Sequence, residues 1–166
     1  LEGQKVLRRP EYHMEDRALL HRINYENKTI SIGGVDYPLL DCDFPTVDPE
    51  NPYELTPEES RVIDQLTESF RHSEKLQRHT RFLYSKGSLY KTINGNLLFH
   101  GCIPMTEGGE LQTFTISGTE LSGKAFMDYA DKTARQAYYT KRGTAEREFG
   151  MDFLWWLWAG RNSPIF

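Results

Sequence analysis

The chain has little cysteine, no long apolar run and no block of charge of one sign. Its 166 residues include only two cysteines, Cys42 and Cys102. Two are too few for a disulfide framework, so a reducing cytoplasm is the expected compartment. The longest apolar run covers residues 153–159, far short of the about 20 residues that a membrane-spanning helix needs. The opening residues carry no signal-peptide pattern. Twenty basic against 24 acidic residues leave a net charge of −4. No basic cluster exceeds a few residues, which argues against nucleic-acid and membrane partners. Disorder is excluded too, because 38% of the residues are hydrophobic and 13% aromatic, enough for a real core.

What is present is an alternation of helical and hairpin patterns. Residues 1–9 read as the tail of a helix ending before Pro10. Residues 14–23 read as a short helix with Leu19, Leu20 and Ile23 on one face. Two alternating runs, 28–32 and 35–40, flank Gly33-Gly34, a hairpin signal. The stretch DCDFPTVDPENPYELTP, residues 41–57, is too rich in proline for a strand or helix and is expected to be an ordered loop. Thr56-Pro57-Glu58-Glu59 is a helix start, with Thr56 as cap, Pro57 at the first position and Glu59 closing a capping box. That helix is expected to reach Phe70 and to bury Val62, Ile63, Leu66 and Phe70. A second helix over 73–85 would turn Leu76, Leu83 and His79 inward and stop at Gly87.

Further on, 88–92 and 96–99 flank Asn94-Gly95, and 111–116 and 119–121 flank Ser117-Gly118, predicting two more hairpins. Ser122 is expected to cap a helix to Tyr139, with Phe126, Tyr129, Ala130, Thr133 and Ala137 inward. Thr144 would cap a last helix to Trp158, ended by Gly160. The fold class is therefore α+β, with helices alternating with short β-hairpins.

Few residues have the character of a reactive site. The segment NGNLLFHGCIP places His100 directly after the apolar run Leu97, Leu98 and Phe99, which predicts a strand buried on both faces. A polar residue at the carboxyl end of such a strand is well placed to face a crevice. Gly101 would allow close approach, and imidazole suits a divalent transition metal. The alternative is a core histidine bonded to a backbone carbonyl. In MDFLWWLWAGRNSP, Asp152 lies on the last helix ahead of its tryptophans, and Arg161, Asn162 and Ser163 form a polar turn after that helix. Arg161 has the planar donor fork that meets phosphate. The competing reading makes Trp155, Trp156 and Trp158 core anchors and leaves Arg161 solvated.

The remaining polar clusters read as ordinary structure. Asp41, Asp43 and Asp48 miss the calcium-loop spacing and read as Asx-turns. His72 and His79 would share one helix face and bond locally. Lys75, Arg78, Arg81 and Lys86 read as a solvated stripe. Cys102 has no histidine and carboxylate around it in the sequence pattern and reads as a packed thiol.

LLFHGCIP resembles the metal-ligand strand of the calcineurin-like metallophosphoesterases. With RRPEYHMEDR, LLDCDFPTVDPENPYELTPEE, SEKLQRHTRFLYSKGSLY and MDFLWWLWAGRNSP in this order, the whole chain resembles the class III fructose-1,6-bisphosphatases. The resemblance implies part of a larger calcineurin-like α/β/β/α sandwich. Residues 1–87 would be an insertion or cap, and 88–166 part of the metallophosphatase core. It implies hydrolysis of the 1-phosphate of fructose 1,6-bisphosphate in gluconeogenesis by a cytoplasmic two-metal enzyme used with manganese. The metals in such a site polarise the phosphate and activate water for in-line attack. His100 would be a metal ligand, Asp152 a catalytic residue, and Arg161, Asn162 and Ser163 substrate-binding. Relatives commonly carry proline where this chain has Arg161.

The family's other ligand motifs, of the types Asp-x-His, Gly-Asp-x-x-Asp-Arg and Gly-Asn-His, are not in the chain. Together with its start at Leu1 and its stop at Phe166, this makes an internal piece of a longer polypeptide the expectation, and one without activity of its own. An accessory, regulatory or oligomerisation module is the other reading, and homo-oligomer formation is left open.

Overall fold

The computed structural model describes residues 9–161 and 163–165. They form two compact units, Asp16–His79 and a second built from residues 9–15 with the described residues from Thr80 onward. The element order is β1 (Ile23–Asn24), β2 (Thr29–Ile32), β3 (Val35–Pro38), α1 (Pro57–His72), α2 (Glu74–Lys86), β4 (Tyr90–Ile93), β5 (Asn96–Phe99), β6 (Thr113–Ile116), β7 (Thr119–Ser122), α3 (Gly123–Tyr139) and α4 (Ala145–Ala159). This is an α+β architecture of helices and short antiparallel hairpins. Among the described residues, no helix is long and apolar enough to cross a membrane.

The unit Asp16–His79 opens with short 3-10 turns, Glu15–Arg17 at its edge and Leu20–Arg22 within it. The helix expected over 14–23 does not form. Ile23 leaves the helical path to pair with Ile30 across β1 and β2, and that pairing outweighs a brief helical periodicity. The β2–β3 hairpin is as expected, with Ile32 opposite Val35 around Gly33-Gly34. The loop over 41–57 is held by Asx-turns: Asp43 N–H donates to Asp41 Oδ1 at 2.9 Å and Glu50 N–H to Asp48 Oδ1 at 2.9 Å.

At Thr56 the capping box closes in both directions. Glu59 N–H donates to Thr56 Oγ1 at 3.2 Å, and Thr56 N–H donates to Glu59 Oε2 at 2.8 Å. Thr46 adds a hydroxyl donor to the other Glu59 oxygen at 2.6 Å. That hydrogen bond, ahead of those from Thr56, holds the Glu59 carboxyl below its usual pKa.

The burial expected along α1 is not found. Val62, Ile63, Leu66 and Phe70 are all exposed, Phe70 at 64%. The helix is amphipathic, but among the described residues no element covers its apolar stripe. The helical run also breaks at Ser73. His72 and His79 therefore lie on different helices, not on one face, and the His72 ring meets the Glu68 carbonyl. Leu76, His79 and Leu83 on α2 are exposed rather than inward.

In the second unit the core lies where α3 crosses α4. Phe126, Ala130 and Ala137 of α3 and Phe153 of α4 are fully buried, with Leu157 and Trp156 nearly so. Tyr129, expected inward, is half-buried, and Met127 takes the inner position beside Phe126. The β6–β7 hairpin lays Phe114 on Phe126, ring centroids 4.1 Å apart, with Trp156 edge-on to both. Gly150 makes the close crossing feasible, because a Cβ there would stand 2.9 Å from the Ala137 Cβ. Tyr12 and Met14 bring residues 9–15 onto the same cluster.

Two end signals behave differently. Thr144 caps α4 by accepting from Arg147 N–H at 3.3 Å, whereas Ser122 makes no side-chain cap bond to α3. The Asn94-Gly95 turn forms as expected, with both residues at positive φ, 52° and 77°, which matches the twist of β4 and β5.

Deleting the Phe153 ring in this chain should cost about 3–5 kcal/mol, read as a fall in the urea midpoint at constant slope. Val62→Ala, on an uncovered face, should move it by less than about 0.5 kcal/mol.

Candidate functional site

The strand end that carries His100 and the turn that follows α4 meet. Phe99 closes β5, and His100 stands exposed beyond it. Burial of β5 on both faces is not observed. Leu97, Leu98 and Phe99 are 44–54% exposed, because among the described residues the sheet consists of β4 and β5 alone. Leu97 and Phe99 line an apolar groove of about 270 Å³ with Ile103, Leu111 and Met127. Leu98 is not in the groove lining.

The contact itself is made by backbone. Gly101 lies so near the 163–165 turn that a Cβ would stand 2.7 Å from the Pro164 oxygen and 3.0 Å from the Ile165 Cα. Only glycine fits that approach. Cys102 N–H donates to the Pro164 oxygen at 3.0 Å, and the Cys102 thiol donates to the Ser163 oxygen at 3.6 Å.

Ser163 is buried, and its hydroxyl is occupied. It donates to the Leu157 carbonyl in the last turn of α4 and accepts from Ile165 N–H at 3.3 Å. That geometry uses Ser163 to fold the turn back on the helix. Arg161 is exposed at the start of the same turn. Asn162 lies outside the described residues.

Asp152 points the other way, into the core. It is 4% exposed and ion-paired with the Arg9 guanidinium. Tyr12 lies on the same core, its ring stacked on Trp156 at a centroid distance of 6.4 Å. The Tyr12 hydroxyl is buried and has no hydrogen-bond partner among the described residues. Burial raises its pKa to about 12; the Arg9 charge opposes this, and the charges of Asp152 and Glu11 add to it. Sequence reading missed Arg9 and Tyr12 as neighbours of Asp152. They stand in RRPEYH, but nothing local marks which distant carboxylate an arginine will meet.

The aromatic helix divides its tryptophans. Trp156 is a core anchor, Trp155 is half-buried and Trp158 is 67% exposed. A separate cleft of about 740 Å³ lies beside β4 and α3, and His100 does not line it. Its charges are mixed, and its Arg135 is already engaged by Asp131 and the carbonyls of Tyr84 and Gly87. Among the described residues, no three His, Cys, Asp or Glu side chains converge as a metal site. The exposed His100 imidazole has the donor chemistry of a single ligand to a transition metal, and the described residues fit one corner of such a centre rather than a whole one.

A family model described as Firmicute fructose-1,6-bisphosphatase matches residues 1–166. Among similar proteins, fructose-1,6-bisphosphatase class 3 of Clostridium novyi (strain NT) is 50% identical over 166 residues, all of this chain and 25% of that protein. Its counterpart in Clostridium tetani (strain Massachusetts / E88) is 51% identical over the same shares. No solved structure matches the chain. The chain belongs to the class III, Firmicute-type fructose-1,6-bisphosphatase family. It spans about a quarter of the length of the curated relatives it matches.

The Tyr12 hydroxyl gives this unit an alkaline limit. Its pKa stands near 12 in the fold against 10.0 as the ordinary value. The stability tied to the neutral form is fully present below pH 10 and is lost as pH rises through about 12. Tyr12→Phe should therefore flatten the decline in urea midpoint between pH 10 and 12. At pH 7 it should be neutral or stabilising, since it removes a buried hydroxyl without a partner.

Proposed function

We propose that the chain is a segment of a cytoplasmic, metal-dependent sugar-bisphosphate phosphatase that releases the 1-phosphate of fructose 1,6-bisphosphate, and that His100 is one of its metal ligands. The observation that carries this is the exposed imidazole at the end of β5, in a chain that a fructose-1,6-bisphosphatase family model matches from end to end. On this reading β4 and β5 are strands of a larger calcineurin-like α/β/β/α sandwich. Residues 88–166 contribute to its core, and residues 1–87 form an insertion.

Manganese is the metal we assign, held by His100 together with donors from the rest of the polypeptide. When bound, it supplies charge to polarise the phosphate and activate water. His100 does its part by offering a ring nitrogen at the end of β5. Arg161, exposed at the start of the turn, is the side chain to which we assign a phosphate oxygen pair, by its planar donor fork. Asn162 stays in the proposal as a substrate contact by its place beside Arg161. For Asp152 and Ser163 we propose support of the site rather than contact with substrate, since both are buried and bonded to Arg9 and to backbone.

A second role is favoured by the uncovered stripe Val62, Ile63, Leu66 and Phe70. An apolar face of this kind suits an insertion that packs on other parts of the enzyme or on a second copy.

The experiment uses the full-length enzyme carrying this segment. His100→Ala should abolish manganese-dependent release of phosphate, with the circular-dichroism spectrum and melting temperature retained. Near-normal manganese affinity and rate in that variant would remove His100 from the metal centre. The 166-residue chain alone should release no phosphate above the uncatalysed rate, and measurable turnover by it would refute a site shared with the rest of the polypeptide.

A further inference from the structure

We infer that Gly101 and the turn formed by Ser163, Pro164 and Ile165 are a positioning device for His100, fixing where its imidazole stands when metal binds. The inference rests on the reading of His100 as a ligand and goes beyond it by assigning a task to residues that touch neither metal nor substrate. Three observations carry it. Cys102 N–H donates to the Pro164 oxygen at 3.0 Å, so the strand end is hydrogen-bonded to the turn. Gly101 leaves no room between them, with the Pro164 oxygen 2.7 Å from where a Cβ would stand. The turn is itself held by the buried Ser163 hydroxyl, bonded to the Leu157 carbonyl and to Ile165 N–H. Leu157 belongs to the core cluster. The exposed His100 is thus two residues from a backbone anchor that leads through α4 into the best-packed part of the unit.

Magnitudes decide whether this matters. A methyl group on Gly101 would meet backbone atoms at distances that side chains essentially never show, so strand or turn must move. Neither neighbour is a flexible side-chain end, and relief requires a backbone shift of several tenths of an ångström or more. Metal–ligand distances tolerate only about 0.2 Å, so a shift of that size at the adjacent residue carries the imidazole out of coordination range or strains the bond. Residues that orient a ligand from behind typically change metal affinity about ten- to a hundredfold when altered.

The test again uses the full-length enzyme carrying this segment, with manganese binding titrated by electron paramagnetic resonance of the free ion and phosphate release measured separately. Gly101→Ala should weaken manganese binding about ten- to a hundredfold. The loss of phosphate release should recover as manganese is raised. A merely structural defect would not be rescued by metal in this way. Ser163→Ala should weaken manganese binding in the same direction and by less, since it loosens the turn without a clash. His100→Ala should lose the metal and gain nothing from added manganese.

If His100→Ala loses metal but Gly101→Ala and Ser163→Ala bind it as the unaltered enzyme does, the ligand reading stands and the positioning role is overturned. If His100→Ala binds manganese normally, the ligand reading fails and takes the positioning role with it. Should Gly101→Ala not fold, Ser163→Ala decides alone: weakened manganese binding supports the device, and unaltered binding overturns it.

Discussion

Phe126 and Phe153 are wholly buried where α3 crosses α4, with Trp156 wedged edge-on against Phe126 and tilted on Phe153. Burying each ring is worth about 1.5–3 kcal/mol, and the core of the unit from Thr80 onward is built on that crossing. Gly150 against Ala137 lets the helices approach closely enough for the rings to interlock. Phe114 brings in the β6–β7 hairpin, and Tyr12 and Met14 bring in residues 9–15. Arg9 then closes over Asp152, a buried carboxylate that would be costly without its cation.

The same crossing reaches the candidate site through α4. Its last turn receives the Ser163 hydroxyl at Leu157, and the turn so formed receives Cys102 N–H at Pro164. A chain of hydrogen bonds thus connects the aromatic core to Cys102, two residues from His100. This gives the tryptophan-rich helix and the turn of Ser163, Pro164 and Ile165 a purpose that neither a substrate-lining nor a purely packing reading supplied. Part of the helix packs, and its end steadies the strand terminus.

Apolar surface is the other recurrent feature. The stripe on α1 and both faces of β5 are exposed in a chain that covers a quarter of its relatives' length. A two-stranded ribbon cannot bury both of its faces, and a lone amphipathic helix cannot bury its stripe. In these elements the sequence specifies contacts for which the described residues hold no partner.

That separates what was legible in the sequence from what was not. The hairpin turns at Gly33-Gly34, Asn94-Gly95 and Ser117-Gly118, the capping box at Thr56 and Glu59, the Asx-turns at Asp41 and Asp48, and the inward positions Phe126, Ala130, Thr133 and Ala137 on α3 were readable, whereas Tyr129 proved half-buried and Met127 was missed. Each is set by backbone dihedrals, by hydrogen bonds a few residues long, or by helical periodicity. The short helix expected near Leu19 failed because a strand partner, Ile30, claimed Ile23. The burial expected for Val62 and Leu98 failed because hydrophobicity states that a residue can be covered, not what covers it. The meeting of Arg9 with Asp152, and of Gly101 with Pro164, was decided only by tertiary structure. Both join residues far apart in sequence, and no local pattern records which distant group will arrive. His100 was marked as a candidate by its place after an apolar strand. Where its backbone is anchored became visible only once α4 and its closing turn were packed beside it.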